Sequence, residues 1–401
     1  MEYVKGRPYF CFSDKQIKQY PYLNKNIDCD ILIIGGGIDG SIANFYLSKK
    51  YSVVLVDKGR LGFGCTSCAT ALLEYQLDDF ANDLKKYMTK EEIIMAYEMG
   101  KKANKKIKNF LKQYGNECEY ALRPTFLYSN SIFSKKDILK EYNFRIENGF
   151  NCTLFSSVTN PFPFPVKYGI YCEDGGGEFN PYLFEKQMIE NSSNQNQIFE
   201  NTNIVKITKK HSRIIATTSF GFNILCKKVI IATGFNWEVL KTEDLCERYI
   251  SYSIVTSPIK GFSWFNNSLI HDLCEPYHYL RLLPDNRIIF GGEDTLFKGK
   301  EINEKKANKV YESLTKELFS LFPSLKGKIS VDFKFCGAFG TTLNNLGLIG
   351  KSKFDDDILL FISSGANGII NAMIGIEVVE DLLKGKENKL SKLFSPRREH
   401  I

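Results

Sequence analysis

Four consecutive apolar residues, Ile31–Ile34, follow the polar stretch Asp28-Cys29-Asp30, as expected of a strand buried on both faces. Then the period changes. Residues 38–49 carry Ile42, Ala43, Tyr46 and Leu47 at helical spacing, and 52–56 returns to an apolar run ending at Asp57. Strand, turn, helix and strand in that order predict a parallel βαβ unit. Farther along, Lys90–Tyr114 puts Ile93, Ile94, Tyr97, Ile107, Phe110 and Leu111 on one face and predicts a long amphipathic helix. Further helices are predicted over 66–77, 137–148, 182–190, 301–322 and 369–384, with Asn180 and Pro181 as N-cap and first residue of the third. Strands are predicted over 123–128, 198–207, 213–224 and 227–234, and strand signals dominate 250–335. Residues 174–178 read as a loop and 291–294 as a turn. The tail repeats the opening logic: an apolar run over 357–362, a glycine loop over 363–368, then an apolar helix.

The turn after the first strand reads Gly35-Gly36-Gly37-Ile38-Asp39-Gly40, a dinucleotide-binding fingerprint in its proper strand-to-helix setting. Gly35 permits the tight turn, Gly37 lets the backbone approach a pyrophosphate, and Gly40 lets helix and strand pack closely. Free N–H groups at the helix N-terminus complement the pyrophosphate charge. Asp57 ends the second strand, where its carboxylate would accept from the adenosine ribose hydroxyls. Glycine turns also arise for structural reasons alone, but the two flanking strands and the closing acid belong to the ligand-binding version.

Bulk composition narrows the class. With 401 residues and 43% apolar side chains, the chain buries a large core in two domains, or one with a large insertion. No apolar stretch approaches the roughly 20 residues that span a bilayer, and 1–15 lacks the apolar core of a signal peptide, so the expected location is the cytoplasm. The net charge of +7 is mild, and lysine runs such as those at 101–106 lie on one helical pattern as a solvated face, so no nucleic-acid partner is expected. Eleven scattered cysteines favour reduced thiols over a disulfide framework. Only Cys65 and Cys68 have CxxC spacing; without a second pair, and with four histidines in the chain, no metal site is expected.

Four segments together resemble the D-amino-acid oxidase and glycine oxidase (DAO) superfamily of FAD-dependent oxidoreductases: GGGIDG with Asp57-Lys58, GFGCTSCATALLEYQLD after it, IIATG at 230–234, and SSGANGIINAMIG near the end. The resemblance runs from about residue 28 to 398 and is similar in detail to a bacterial subgroup of unstated substrate. It implies an α/β (α+β overall) fold in which a Rossmann-like FAD-binding domain, 1–80, 165–245 and 335–401, interleaves with a sheet-based substrate domain, 81–164 and 246–334. It also implies that Gly35, Gly37 and Gly40 hold the pyrophosphate, Asp57 the ribose, and Lys58 the adenosine side. Gly64, Thr66, Ser67, Thr70 and Ala71 would follow the pyrophosphate and flavin edge, with Val205 at adenine and Ala232 and Gly234 close by. Gly365, Asn367, Gly368 and Ile369 would set a helix N-terminus near the flavin pyrimidine oxygen, where reduced flavin gathers negative charge.

The segment 335–350 departs from the family pattern, with Phe335 for a usual Trp, Leu343-Asn344 for Pro-Asp and Gly347 for Pro. Relatives with a covalent flavin carry a cysteine that aligns with Gly337, one residue past Cys336, so the FAD is expected to be non-covalent. A lysine that activates oxygen in sarcosine oxidases aligns with Ile289, which leaves the electron acceptor open and favours one other than O2.

The resemblance implies hydride transfer from a carbon bearing an amine to the flavin, with a small amine or amino acid as substrate. An amino acid needs a carboxylate anchor, commonly a bidentate arginine beside a tyrosine hydroxyl. Arg281, Tyr277 and Tyr279 share one face of a strand by alternation and are the leading candidates; Arg123 with Tyr128 is the alternative. His278 falls on the opposite face. Two other readings stay open: an FAD-dependent enzyme acting on a nucleoside in tRNA, and a non-catalytic flavin-binding redox sensor using Cys65 and Cys68.

Overall fold

Ile31–Ile34 pairs in parallel with Val53–Val56 on one side and Lys228–Ile231 on the other. The sheet extends to Gln197–Phe199 beyond the first neighbour and to Ile358–Ile362 and the antiparallel Leu348–Lys351 beyond the second. In this computed structural model, residues 3–11, 18–193, 196–240, 245–299, 301–363, 365 and 367–398 are described. Ser364 and Ala366 of the late glycine loop, and residues 1–2 and 12–15 of the stretch read for a signal peptide, lie outside them.

Alternation along these strands explains why they are continuously apolar. Ile31, Ile33, Val53 and Leu55 face a core shared with the helices Ile38–Leu47, Lys90–Tyr114 and Gly368–Leu383. Leu32, Ile34, Val54 and Val56 face the opposite way, onto a four-stranded sheet of Ile204–Lys210, Arg213–Thr218, Asn223–Cys226 and Ile27–Asp28. Buried on both sides, the strands have no polar face to alternate with. The Lys90–Tyr114 helix starts at a reciprocal cap: Thr89 Oγ1 accepts from Glu92 N–H at 3.2 Å, and Glu92 Oε2 accepts from Thr89 N–H at 2.8 Å.

A ten-stranded sheet provides the second layer. Its path runs Val4–Gly6, Val331–Thr341, Glu247–Thr256, Ile288–Leu296, His278–Leu282, Leu269–Asp272, Ala121–Ser129, Tyr168–Glu178 and Leu72–Glu74, with Thr153–Ser156 joined to Tyr168–Glu178. Helix Glu304–Leu321 covers one face, packing Tyr311, Leu314 and Leu318 into a core with Tyr252, Ile254 and Phe290.

Four sequence expectations give way here. No helix forms over 66–77; Cys65–Cys68 is a single 3₁₀ turn, Ala71 takes φ 52°, and Leu72–Glu74 becomes an edge strand against Gly176–Glu178. The glycine run at 175–177 is correspondingly strand, not loop. A Cβ on Gly176 would stand 2.4 Å from the Leu73 carbonyl oxygen, so glycine is what lets the two strands meet. Gly291 to Asp294 likewise lies within the strand Ile288–Leu296 rather than in a turn. Finally, Cys152 and Cys172 form a disulfide, which corrects the expectation of reduced thiols for that pair; the other nine cysteines are outside disulfides. Among the described residues, no helix is long and apolar enough to cross a membrane.

Candidate active site and dinucleotide cavity

A cavity of about 1880 Å³ runs from the early glycine turn to the face of the large sheet. That exceeds the roughly 300–1,000 Å³ of an ordinary small-ligand site and leaves room for a dinucleotide with a substrate beside it.

At the nucleotide end, Gly35 has φ 107°, and a Cβ there would lie 2.3 Å from the Ala232 carbonyl oxygen, locking the turn against the strand Lys228–Ile231. On Gly40 a Cβ would fall 1.8 Å from the Gly35 carbonyl oxygen. Gly40 therefore acts through helix packing and does not line the cavity, whereas Gly35 and Gly37 do. Asp57 also lines it; its Oδ2 accepts from Gly36 N–H at 2.7 Å and Oδ1 from Gly59 N–H at 2.8 Å. Burial pushes the Asp57 carboxyl up while those two N–H groups pull it back. Lys58, Val205, Ala232 and Gly234 line the same end. Two observations fit this end to a dinucleotide: a Cβ on Gly64 or Gly234 would meet nothing within 4 Å, and Thr233 Oγ1 is a buried hydroxyl without a hydrogen-bond partner.

Gly64, Thr66, Thr70 and Ala71 line the middle. Thr66 has a definite task, since its Oγ1 accepts from Ile38 N–H at 2.9 Å and so joins the 3₁₀ turn to the helix N-terminus. Ser67 does not line the cavity; it is 2% exposed and donates from Oγ to the Gly64 carbonyl at 2.8 Å, a correction to its expected place on the cofactor. The late loop arrives opposite. Gly365, Asn367, Gly368 and Ile369 all line the cavity. Asn367 Oδ1 accepts from Glu74 N–H at 3.1 Å and its Nδ2 donates to the Gln76 carbonyl at 2.9 Å, tying the start of helix Gly368–Leu383 to the edge strand. Reading the sequence missed Asp39, whose buried carboxylate accepts from both Ser363 N–H and Ser363 Oγ–H. An acid in the first turn of a fingerprint helix was the available signal.

Cys65 and Cys68 line the cavity as thiols, not as a disulfide. Burial pushes Cys65 up to about 12 and Cys68 well above its ordinary value, the opposite of an activated thiolate. Cys336 is 1% exposed and packs into the core beneath helix Glu304–Leu321, while Gly337 reaches the cavity. Ile289 is buried with Phe10, Tyr182 and Phe335, away from the cavity.

At the substrate end the tyrosines and the arginine part company. Tyr277 and Tyr279 line the cavity. The Tyr277 hydroxyl donates to Asp294 Oδ2, and the Tyr279 hydroxyl sits 3.0 Å from Ser251 Oγ and 3.2 Å from Ser253 Oγ. Tyr279 lies across Gly291, where a Cβ would be 2.4 Å from its Cζ. Arg281 does not line this cavity, which corrects its assignment as a carboxylate anchor. Its Nε donates to the Thr70 carbonyl at 2.8 Å, Nη1 to Glu178 Oε2 at 3.0 Å and Nη2 to the Phe179 carbonyl at 2.9 Å, with 1% exposure. Arg123 Nε donates to the other oxygen of Glu178 at 2.7 Å, so both arginine candidates are held by one carboxylate. Tyr128 stacks on Phe126 within the aromatic core. Strand alternation placed Arg281 correctly by face; the path of 70–71 over that face, invisible in the sequence, covers it.

His271, unremarked in the sequence, lines the cavity with Nε2 3.1 Å from Glu74 Oε1. Burial works against its charge, but Glu74 more than compensates and raises it above the usual imidazole value. Asp294 is pushed up to about 6 by burial, against the hydrogen bonds of Tyr277 and Ser251. At its rim, Asp272 and Cys274, which line the cavity, and His278, which does not, bring ligand atoms within 4.8 Å of one another. Asp272 already accepts there from His278 Nδ1–H and from the His278 and Cys274 backbone N–H groups, which gives the cluster a structural role. Burial opposes the His278 charge, yet Asp272 and Cys274 raise it to about 10.

Comparison with known proteins follows the same lines. The chain is 23% identical over 391 residues to the putative Rieske 2Fe-2S iron-sulfur protein YhfW of Bacillus subtilis, covering 96% of this chain and 74% of that protein. It is 22% identical to gamma-glutamylputrescine oxidoreductase of Escherichia coli, covering 94% of this chain and 88% of the other. The fold matches the crystal structure of glycine oxidase from Geobacillus kaustophilus with a TM-score of 0.77 at 16% identity, over 93% of this chain and 99% of that one. The family model described as FAD dependent oxidoreductase matches residues 30–381. With both glycine elbows on one cavity and that match spanning most of the sequence, the chain belongs to the DAO family of FAD-dependent oxidoreductases.

Proposed function

We propose that this FAD-dependent oxidoreductase oxidises a C–N bond of a small amine or amino acid. The observation that carries the proposal is the continuity of one cavity from the Gly35–Gly40 turn, past the N-terminus of helix Gly368–Leu383, to the polar pocket of Tyr277, Tyr279, His271 and Asp294. FAD supplies the hydride-accepting centre when bound, and the E. coli relative is named for oxidoreduction of an amine conjugate.

The chain's own contribution is orientation and proton control. The N-terminal end of helix Gly368–Leu383 directs its partial positive charge at the cavity, where it would hold the electron-rich edge of bound FAD. An amine loses hydride readily only once its nitrogen is deprotonated, and the buried pocket disfavours the ammonium form. Burial pushes Asp294 up to about 6, and Tyr277 fixes its orientation through Oδ2. The non-covalent FAD of the sequence reading is supported by the burial of Cys336 away from the cavity. An interleaved FAD-binding domain and a sheet-based substrate domain fit the two large sheets that meet at this cavity, although Val4–Gly6, Leu72–Glu74 and Tyr168–Glu178, assigned by sequence to the FAD-binding domain, pair within the ten-stranded sheet.

The test is anaerobic mixing of flavin-loaded protein with a panel of small amines and amino acids. Loss of the yellow absorbance band with at least one of them is expected; a band unchanged by every compound would refute the proposal. Repeating the productive reaction with O2, and then with an artificial acceptor such as a quinone, identifies the class of electron acceptor.

A further inference from the structure

Two buried acceptors at the substrate end have open hydrogen-bonding valences, whereas His271 Nε2, a donor there without a hydrogen bond, is taken up by the ion pair with Glu74 Oε1 at 3.1 Å. Asp294 Oδ1 is buried without a hydrogen-bond partner, and so is Oε1 of Gln76, a residue only 7% exposed. Both residues line the cavity. Donors there are committed. The Tyr277 hydroxyl is given to Asp294, the Tyr279 hydroxyl is shared with Ser251 and Ser253, and His271 faces Glu74. The arginines nearby are equally engaged: Arg281 and Arg123 on Glu178, and Arg145 on Glu141 at 2.8 Å.

Charge points the same way. Glu74, Asp78, Asp79 and Asp294 line this end together with the Asp272–Glu275 loop, and the electrostatic influence of Asp78 reaches both His271 and Tyr277. A carboxylate placed among them would meet repulsion and find no uncommitted cation among the described lining residues of this end. An ammonium group offers three donors and no acceptor, which matches the vacant valences.

We infer that the substrate is a diamine or polyamine without a free carboxylate, whose second, non-reacting ammonium is held by Asp294 with Asp78 and the Gln76 side-chain oxygen nearby. This rests on the amine-oxidising reading above and narrows it. Asp294 thereby becomes a specificity-determining residue: its carboxylate selects chain length by holding the distal nitrogen while the proximal carbon reacts.

The test compares diaminobutane, butylamine and glycine on the flavin-loaded protein. Under anaerobic conditions at about pH 8, where a distal amine stays protonated, half-maximal flavin reduction is expected at a diaminobutane concentration about tenfold or more below that of butylamine. Asp294→Asn should collapse that ratio toward one. Preference for glycine, or equal use of diaminobutane and butylamine by the unaltered protein, would overturn the inference while leaving the amine-oxidising reading intact. Calorimetric titration with diaminobutane gives a readout independent of turnover. Binding about tenfold weaker in Asp294→Asn supports the inference, and equal binding by the two proteins overturns it.

Discussion

The carboxylate of Asp39, in the first turn of the helix behind the early glycine turn, accepts hydrogen bonds from the backbone N–H and hydroxyl of Ser363, 324 residues farther along the chain. This contact closes the two nucleotide-facing loops onto one cavity. It is buried, and its chemistry has a pH consequence.

Burial raises Asp39 to about 7 in the folded protein despite the Ser363 hydrogen bonds, whereas an unfolded aspartate titrates near ~3.9. Between those values the folded state holds a proton that the unfolded state has released. The stability from this group therefore falls as pH rises from about 4 to about 7 and is level above that. Asp39→Asn should flatten this part of the profile, read as denaturant midpoints of the apoprotein across that range; an unchanged slope would contradict the assignment.

Gly40 and Gly64 should separate folding from cofactor binding. Gly40→Ala drives a Cβ into the Gly35 carbonyl oxygen, at 1.8 Å, and should cost about 1–3 kcal/mol or more of apoprotein stability together with the flavin. Gly64→Ala meets nothing within 4 Å, so the apoprotein should unfold at the parent temperature while flavin affinity drops. Thermal unfolding with and without FAD distinguishes the two.

Removing Arg281 should damage the scaffold rather than substrate affinity. Arg281→Met strips Glu178 and the Thr70 carbonyl of a fully buried partner, a loss expected to cost about 3–5 kcal/mol. Arg123→Gln, at a side chain 26% exposed, should cost much less. Measured by denaturation, the two losses should differ clearly; a large rise in KM for Arg281→Met with stability unchanged would restore its role as an anchor.

Thiol reactivity should be sharply graded. Cys274 is exposed, whereas Cys65 and Cys68 are held protonated by burial. An aromatic disulfide reagent should label Cys274 quickly in the native protein, the cavity-lining Cys65 and Cys68 slowly, and the buried Cys29, Cys118, Cys226 and Cys336 only after unfolding; Cys274→Ser should abolish the fast phase. Acid precipitation should leave the flavin in the supernatant, since Cys336 is buried away from the cavity.

Much of this molecule was legible along the chain because its signals are local. The βαβ unit around Gly35–Gly40, the helix Lys90–Tyr114 and the Asn180-Pro181 start of helix Pro181–Glu190 depend on nearest-neighbour periodicity and capping, and each forms where the pattern predicts. Residues 66–77 and 174–178 were misread for one shared reason. Small side chains look like helix or loop in isolation, but here they allow Leu72–Glu74 and Gly176–Glu178 to pair closely as strands.

Local pattern sufficed to locate both glycine elbows and to call a dinucleotide site, because backbone conformation and strand-helix geometry restrict which residues such turns accept; the resemblance to the DAO superfamily added FAD. Which side chains remain available for chemistry depends on long-range contacts. Arg281 was spent on Glu178 and Thr70, while His271, Asp294 and Gln76 came forward to the cavity. Availability depends on partners brought from distant segments, and hydrogen-bond partners across hundreds of residues leave no periodic trace in a single chain.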